Sequence, residues 1–249
     1  MRAVAATLAA IAVGCNDSSG GGARRVDPHE GIWQGSMVAP GSGAATSVTL
    51  IVEPGGTACL VPLDETGEPL DRIELWGRLF ADAGVVSGSL DHFESGGSVT
   101  LEVTGTVVPR SSLELDLHDA DQPGSLFDGF HVATHFDPTW DRNSSMARVA
   151  GAWTCGDVVL AVAADGSLEG GDPSGGHYYG TLVPDVPDVD LYSIEIEAYF
   201  AGAGEPWFYS GVAIQCDRGA PDGALLFTMQ GSQYGWFGDF GYWSGLMTR

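Results

Sequence analysis

The chain has 249 residues and carries 33 Asp and Glu against 10 Lys and Arg, which gives a formal net charge of −23. All ten cations are Arg, so the sequence excludes sites that need a lysine amine, such as a phosphate-loop lysine or a Schiff base. The charge also argues against nucleic acid as a partner, because nucleic-acid binding depends on clustered cations. Apolar residues make up 44% of the chain, which is enough for a folded core.

An uncharged stretch opens the chain. Residues 1–15, MRAVAATLAAIAVGC, place Arg2 before a run that ends at Cys15. The run is shorter than the ~20 apolar residues of a permanent membrane-spanning helix, and it is typical of a cleaved export signal over residues 1–14. Residues 15–27 include NDSSGGGARR and are predicted to form a flexible tether, since Gly and Ser chains behave as random coil.

The residues AVGC at 12–15 resemble the lipobox of bacterial lipoproteins, with Ala12 where Leu is usual. The resemblance implies cleavage before Cys15, which then takes a thioether-linked lipid and N-acylation. Acyl chains would have to hold the protein at the membrane, because anionic lipids repel so acidic a body. Asn16 follows Cys15 in place of the Asp that resembles an inner-membrane retention signal, so we expect the anchor to lie in the outer membrane. An ordinary secretory signal with an incidental cysteine is the alternative.

Apolar and polar side chains alternate along most of the chain after the tether, and sustained helical periodicity is absent. Clear examples lie at 48–52, 99–104, 113–118 and 194–199. Each run presents one face to a core and the other to water, and roughly fourteen such runs with short connections predict an all-β fold of antiparallel meanders. Asp165-Gly166 is predicted to form a two-residue hairpin turn, a type that needs positive φ angles.

Two similar halves are predicted, which suggests duplication. Gly31-Ile32-Trp33 opens the first half and Gly151-Ala152-Trp153 the second, and an alternating strand and a Gly-bearing turn follow each. We therefore predict a first β module over 28–118 and a second over 151–249, each barrel-like or sandwich-like. Gly-x-Trp also resembles the first strand of lipocalin-like barrels, which implies a Trp that plugs one barrel end and an interior that can hold an apolar ligand; a plain core Trp is the alternative.

Residues 119–150 are predicted to link the two modules. Ser144 or Ser145 is expected to cap one short helical turn over Met146–Val149, which Gly151 ends. The segment WDRNSS at 140–145, followed by Gly-x-Trp, resembles a family of uncharacterised exported lipoproteins of Gram-negative bacteria, with Trp and Asn where Tyr and Pro are usual. The resemblance covers about the last 110 residues; it implies a Gly-rich all-β module and supplies no catalytic residues.

Three cysteines remain once Cys15 is assigned to lipid. Trp153 shares a strand face with Cys155, and Ile214 shares one with Cys216, so we expect both cysteines to point to one core. Because an exported protein meets an oxidising compartment, we predict a Cys155–Cys216 disulfide, worth roughly 4 kcal/mol for a loop of about 60 residues. Cys59 is then a buried free thiol; pairings through Cys59 would need contact between the halves.

The C-terminal segment is rich in aromatic side chains. Its candidate ligand-binding residues are Trp236, Phe237, Asp239, Tyr242 and Trp243. Aromatic faces beside acidic groups can hold sugar rings by apolar stacking and hydrogen bonds. Aromatic side chains also shield glycines in strands and close the last strand of a sheet, which is the structural alternative.

No metal site, cofactor or catalytic residue is assigned. His131 and His135 in HVATH lack the Glu of a metalloprotease motif, and we interpret them as surface histidines of the linker. The acidic runs near 116–121 and 185–190 do not match a calcium-binding loop. The chain has no Gly-x-Ser-x-Gly motif, and abundant acids make carboxylate pairs uninformative.

These patterns predict a non-enzymatic, lipid-anchored lipoprotein of the bacterial cell envelope with a binding or structural role. Its partners would be the membrane, through the lipid at Cys15, and an envelope protein or a glycan. The alternative is a carrier of a small apolar or saccharide ligand, held in a barrel interior or on the aromatic surface at 236–243. A pocket lined by Trp33 or Trp153 would favour the carrier.

Overall fold

The computed structural model describes residues 26–70, 74–94, 97–124, 127–218, 220–233 and 240–249. Sixteen strands and two short helices form this part of the chain, which confirms the predicted all-β fold. The strands make two closed antiparallel barrels of eight strands each. None of the helices in the described part has the length and apolar character that a membrane crossing would need.

The first barrel is a meander in which each strand pairs with the next and the eighth returns to the first. Its strands are β1 (Gly31–Val38), β2 (Ala45–Val52), β3 (Thr57–Leu63), β4 (Leu75–Asp82), β5 (Val85–Glu94), β6 (Gly97–Val108), β7 (Ser112–His118) and β8 (His131–Phe136). The predicted boundary at residue 118 is therefore too early. HVATH forms β8, and Val132 and Thr134 are buried on its inward face, so this strand closes the barrel.

The second barrel has the same order of antiparallel neighbours. Its strands are β9 (Gly151–Cys155), β10 (Val158–Val162), β11 (Ser167–Gly171), β12 (His177–Val186), β13 (Leu191–Tyr199), β14 (Trp207–Arg218), β15 (Ala220–Gln233) and β16 (Phe240–Thr248). It closes where β16 meets β9, through the pair Thr248 and Thr154. The predicted start of this module at residue 151 is the first residue of β9.

Buried apolar side chains fill both barrel interiors. The first interior cluster includes Trp33, Leu50, Leu60, Leu79, Leu101, Leu115 and Val132. The second includes Trp153, Leu160, Leu182, Ile194, Ile196, Phe227 and Met229. An eight-stranded barrel is just wide enough for its own side chains to fill it. The inward positions are those that the alternating sequence pattern predicts.

Equivalent hydrogen bonds in the two halves support duplication. The indole Nε1 of Trp33 donates to the carbonyl of His29 at 2.9 Å, and that of Trp153 donates to the carbonyl of Val149 at 2.7 Å. In each half the acceptor lies four residues before the Trp. Both side chains are fully buried in their barrel interiors, which fits the plug interpretation of Gly-x-Trp and the plain core Trp equally.

The hairpin predicted at Asp165-Gly166 is present between β10 and β11, but its turn type was wrong. The connection has four residues, and only Gly166 has a positive φ, at 89°. The amide of Gly166 donates to the carbonyl of Ala163, so a tight turn precedes the left-handed glycine. The Gly166 carbonyl then accepts from the amide of Leu182, as the Gly56 carbonyl accepts from the amide of Leu79 in the first barrel.

A third apolar cluster lies between the outer walls of the two barrels. From the first barrel it takes Ile32, Ile51, Cys59 and Trp76, which lie side by side across β1–β4. From the second it takes Val212, Ile214, Leu226 and Leu246 of β14–β16. The Cys59 thiol donates to the Thr228 hydroxyl at 3.6 Å, and the Ser244 hydroxyl donates to Glu74. The two barrels therefore pack wall against wall.

The connection between the barrels is short and partly buried. It contains a 3-10 helix, Pro138–Asp141, and α1, Met146–Val149, which occupies the predicted range. Trp140 is fully buried in the cluster between the barrels. Ser145 is the N-cap residue of α1 but makes no side-chain capping bond, and the Ser144 hydroxyl donates to the carbonyl of Val186 instead.

The predicted Cys155–Cys216 disulfide was wrong: Cys59, Cys155 and Cys216 are free thiols in the structure. Cys155 packs against the interior cluster of the second barrel, whereas Cys216 packs against the cluster between the barrels. The two cysteines thus face opposite sides of the barrel wall. Each cysteine lies on the strand face that the sequence indicates. The apolar face of β14 that holds Cys216, however, points outward to the cluster between the barrels and not into the barrel interior.

Candidate functional site

A groove of about 610 Å³ lies on the outer wall of the second barrel. The described residues that line it belong to β12–β15: Tyr179, Gly180, Thr181, Glu195, Ile196, Glu197, Phe208, Tyr209, Ser210, Gln230, Gly231 and Ser232. Its volume is in the range of small-molecule binding sites. Neither Trp33 nor Trp153 lines it, so the groove differs from the interior site that the carrier alternative requires.

The outward side chains of the groove form two rows across four strands. Tyr179, Glu197, Phe208 and Ser232 make one row, and Thr181, Glu195, Ser210 and Gln230 make the other. Neighbouring strands lie ~4.8 Å apart, so Tyr179 and Phe208, two strands from each other, are ~10 Å apart. Glu197 lies between them. Tyr179 is 44% exposed and Phe208 43% exposed, so solvent can reach both side chains.

The groove carries negative charge. Among the described residues, its lining includes Glu195 and Glu197 and no arginine. The Tyr199 hydroxyl donates to Oε1 of Glu197 at 2.5 Å, and the Tyr199 ring meets that of Tyr179 edge to face, with centroids 6.1 Å apart. The bond to Glu197 raises the pKa of Tyr199, so this hydroxyl remains protonated at neutral pH. Glu169 of β11 continues the row beyond Tyr179.

Aromatic side chains on the inner side of the wall support the groove. Tyr209 contacts Trp243 edge to face at 5.6 Å and stacks on Trp207 at 6.0 Å. Burial raises the pKa of Tyr209 to about 12, so it stays neutral. Trp243 also contacts Tyr178, whose hydroxyl donates to Asp172 at 2.6 Å. The wall under the groove is therefore backed by packed rings.

The Asp172 carboxylate fixes the loop between β11 and β12. It accepts hydrogen bonds from the amide and the hydroxyl of Ser174, from the amide of Gly176 and from the hydroxyl of Tyr178. These bonds, chiefly those from the Ser174 and Tyr178 side chains, lower its pKa well below the ordinary value. The pKa of Tyr178 is raised, first by burial and then by the bond to Asp172.

The predicted aromatic surface is only partly within the described residues. Trp236, Phe237 and Asp239 lie outside them, and of Tyr242 only the backbone, paired with Gln230, is described. Trp243 is partly buried, and its ring packs against the interior cluster beside Phe227. This inward position on β16 favours the structural alternative, and the ligand-binding role of Trp243 stays a prediction.

Residues of the histidine pair and of the acidic runs make hydrogen bonds with their own neighbours. The described residues contain no group of three or more metal-ligating side chains. His131 and His135 are exposed on the outward face of β8, and His131 Nδ1 lies 2.8 Å from Asp116. Asp119 and Asp128 accept backbone amide hydrogens within the turn that precedes β8. The carboxylates of Asp119 and Asp128 thus stabilise that turn.

One pair of acidic residues brings electrostatic repulsion between the two barrels. Glu53, directly after β2, and Asp185, in β12, are close enough to interact electrostatically. Burial, and then repulsion by Asp185, raise the pKa of Glu53 to about 7. Burial also raises the pKa of Asp185. The interface therefore holds a carboxyl group that titrates near neutral pH.

The groove residues were missed in the sequence because they are far apart along the chain. Tyr179, Glu197 and Phe208 become neighbours only through the pairing of β12, β13 and β14. Alternation alone indicates that each points outward, but not which strands pair. No family model, curated protein or solved structure matches this chain.

Proposed function

We propose that this protein is a lipid-anchored component of the bacterial cell envelope that binds its partner on the outer wall of the second barrel. One observation carries the binding role: an open groove with exposed aromatic side chains lies on that wall, whereas the apolar side chains of the barrel interiors are buried. The alternative is a carrier that holds a small apolar or saccharide ligand in a barrel interior or on the C-terminal aromatic surface; the buried side chains of Trp33 and Trp153 would then line the interior site.

The proposed attachment to the cell envelope rests on the sequence before the first barrel. An uncharged run ends at Cys15, and a tether rich in Gly and Ser follows. Lipid on Cys15 would hold an acidic body near a membrane that otherwise repels it. Intact mass of the membrane-extracted protein tests this: we expect a chain that begins at Cys15 and carries acyl groups. An unacylated chain would contradict the anchor.

The binding role is tested with an array of oligosaccharides and peptides. We expect the double variant Tyr179→Ala, Phe208→Ala to lose the ligands that the parent protein retains, because it removes both exposed rings of the groove. The matched control is Phe80→Ala, Val85→Ala, which removes two exposed apolar side chains from the first barrel. If the groove variant and the control retained the same ligands as the parent, the proposed site would be wrong.

A further inference from the structure

We propose that the groove on β12–β15 binds a basic peptide segment of a partner protein, in extended conformation, with cationic side chains on its carboxylates and aromatic rings. This inference rests on the proposed function and specifies the ligand of that site. It is carried by the order of side chains across the wall. From β11 to β14 they read Glu169, Tyr179, Glu197 and Phe208, so that carboxylates and rings alternate.

This alternation suits cations in two ways. A carboxylate attracts an ammonium or guanidinium group directly, and the face of a neighbouring ring attracts it through the ring quadrupole. Here each ring has a glutamate on the adjacent strand. A neutral sugar could use the rings and the hydroxyls of Thr181 and Ser210, but it would leave the charges of Glu195 and Glu197 without a counter-charge.

The arginines of the described residues also favour a basic ligand, because they lie outside the groove and do not neutralise its carboxylates. Arg110 pairs with Asp141, Arg142 pairs with Asp217, and Arg249 lies over the ring of Trp153 at 4.6 Å. None of the arginines that the structure describes lines the groove. A basic ligand would therefore supply the counter-charge, and the net charge of −23 would speed its approach.

The spacing on β13 indicates the conformation of the peptide. Glu195 and Glu197 are two residues apart on the same face, which places them ~7 Å apart along the strand. Cationic side chains at alternate positions of an extended peptide have the same spacing. Tyr179 and Phe208, on the strands at either side, would flank such a peptide.

The test uses a fluorescently labelled synthetic peptide of alternating lysine and serine, titrated against the full chain and followed by anisotropy. We expect Glu195→Gln, Glu197→Gln to weaken binding about tenfold and Phe208→Ala to weaken it about threefold. The matched control, Glu102→Gln, Glu114→Gln, removes the same charge from exposed positions of the first barrel and should change binding less than about twofold. Circular dichroism should show all variants folded, since these side chains are at the surface.

The possible outcomes separate the two proposals. Equal weakening by both glutamine pairs would overturn this inference, because the peptide would then respond only to overall charge. Absence of peptide binding, together with binding of a neutral oligosaccharide that Phe208→Ala abolishes, would also overturn it and leave the proposed function standing. If neither ligand class depended on the groove residues, both proposals would fail.

Discussion

At the scale of single residues, charge placement decides what each surface of the molecule can do. Glu195 and Glu197 are held on an open wall, where water and a ligand can reach them. Glu53 carries the same functional group but is half-buried beside Asp185, and its pKa is raised to about 7. The first pair is therefore available for binding, whereas Glu53 makes the contact between the barrels sensitive to pH.

Replacement of Glu53 by Gln tests this assignment. Because the folded protein holds the Glu53 proton more tightly than the unfolded chain does, the free energy of unfolding should fall as pH rises from 4.5 to about 7. Glu53→Gln should reduce that fall and raise the free energy of unfolding at about pH 8 by roughly 1–2 kcal/mol, with allowance for solvent screening.

Urea unfolding at several pH values measures the effect. The control is Glu65→Gln, an exposed glutamate in the loop after β3, which should leave the pH profile unchanged. A Glu53→Gln profile with the same decline as the parent would show that Glu53 does not titrate in this range.

At the scale of elements, turn glycines fix how neighbouring strands follow one another. Gly166 has a φ of 89°, and its carbonyl accepts the amide of Leu182 from β12. A Cβ atom at this position would lie 2.6 Å from Cγ1 of Val183 and 2.9 Å from the Leu182 carbonyl oxygen. The turn thus packs against the strand that begins the groove.

Gly166→Ala should therefore destabilise the second barrel by about 1–3 kcal/mol, through backbone strain and the contact with β12. The comparison is Gly202→Ala, which also has a positive φ, 80°, but no atom within 4 Å of an added Cβ. We expect the loss at Gly166 to exceed the loss at Gly202 in denaturant unfolding. Equal losses would mean that only backbone strain matters at Gly166.

Alternation predicted the strands well, because it depends only on local periodicity. Leu113, Leu115 and Leu117 point inward as expected, and the Gly-x-Trp segments open both barrels. Trp243 shows the limit of local patterns. Its position on β16 places it inward, but a dense aromatic segment resembles a binding surface when the strand pairing is unknown. The groove was not predictable for the same reason, since Tyr179 and Phe208 approach each other only across paired strands.

At the scale of the whole molecule, the contact between the barrels determines which part of the outer wall remains free. Along β14, the outward residues Val212 and Ile214 are buried against the first barrel, whereas Phe208 and Ser210 line the groove. Alternation predicts only that Ile51, on the first barrel, faces outward. Its burial depends on the second barrel, and no local pattern encodes that. The position of the groove thus follows from how the barrels pack.

Two adjacent leucines of β15 separate barrel folding from barrel packing. Leu226 faces the first barrel, and Leu225 faces the interior of the second. Leu226→Asp should separate the barrels but leave both folded, because it buries a charge only where they meet. Leu225→Asp should unfold the second barrel, with a loss of about 3–5 kcal/mol. Circular dichroism and denaturant unfolding would distinguish the two results.

The most direct measurement is the distance distribution between spin labels at Val85 and Val159, which are exposed on the first and second barrels. We expect one narrow distribution in the parent chain, because the apolar cluster around Ile51 and Leu226 fixes the barrels together, and a broad one in Leu226→Asp. A broad distribution in the parent chain would contradict the account, since the barrels would then move independently and no part of the second wall would be permanently covered.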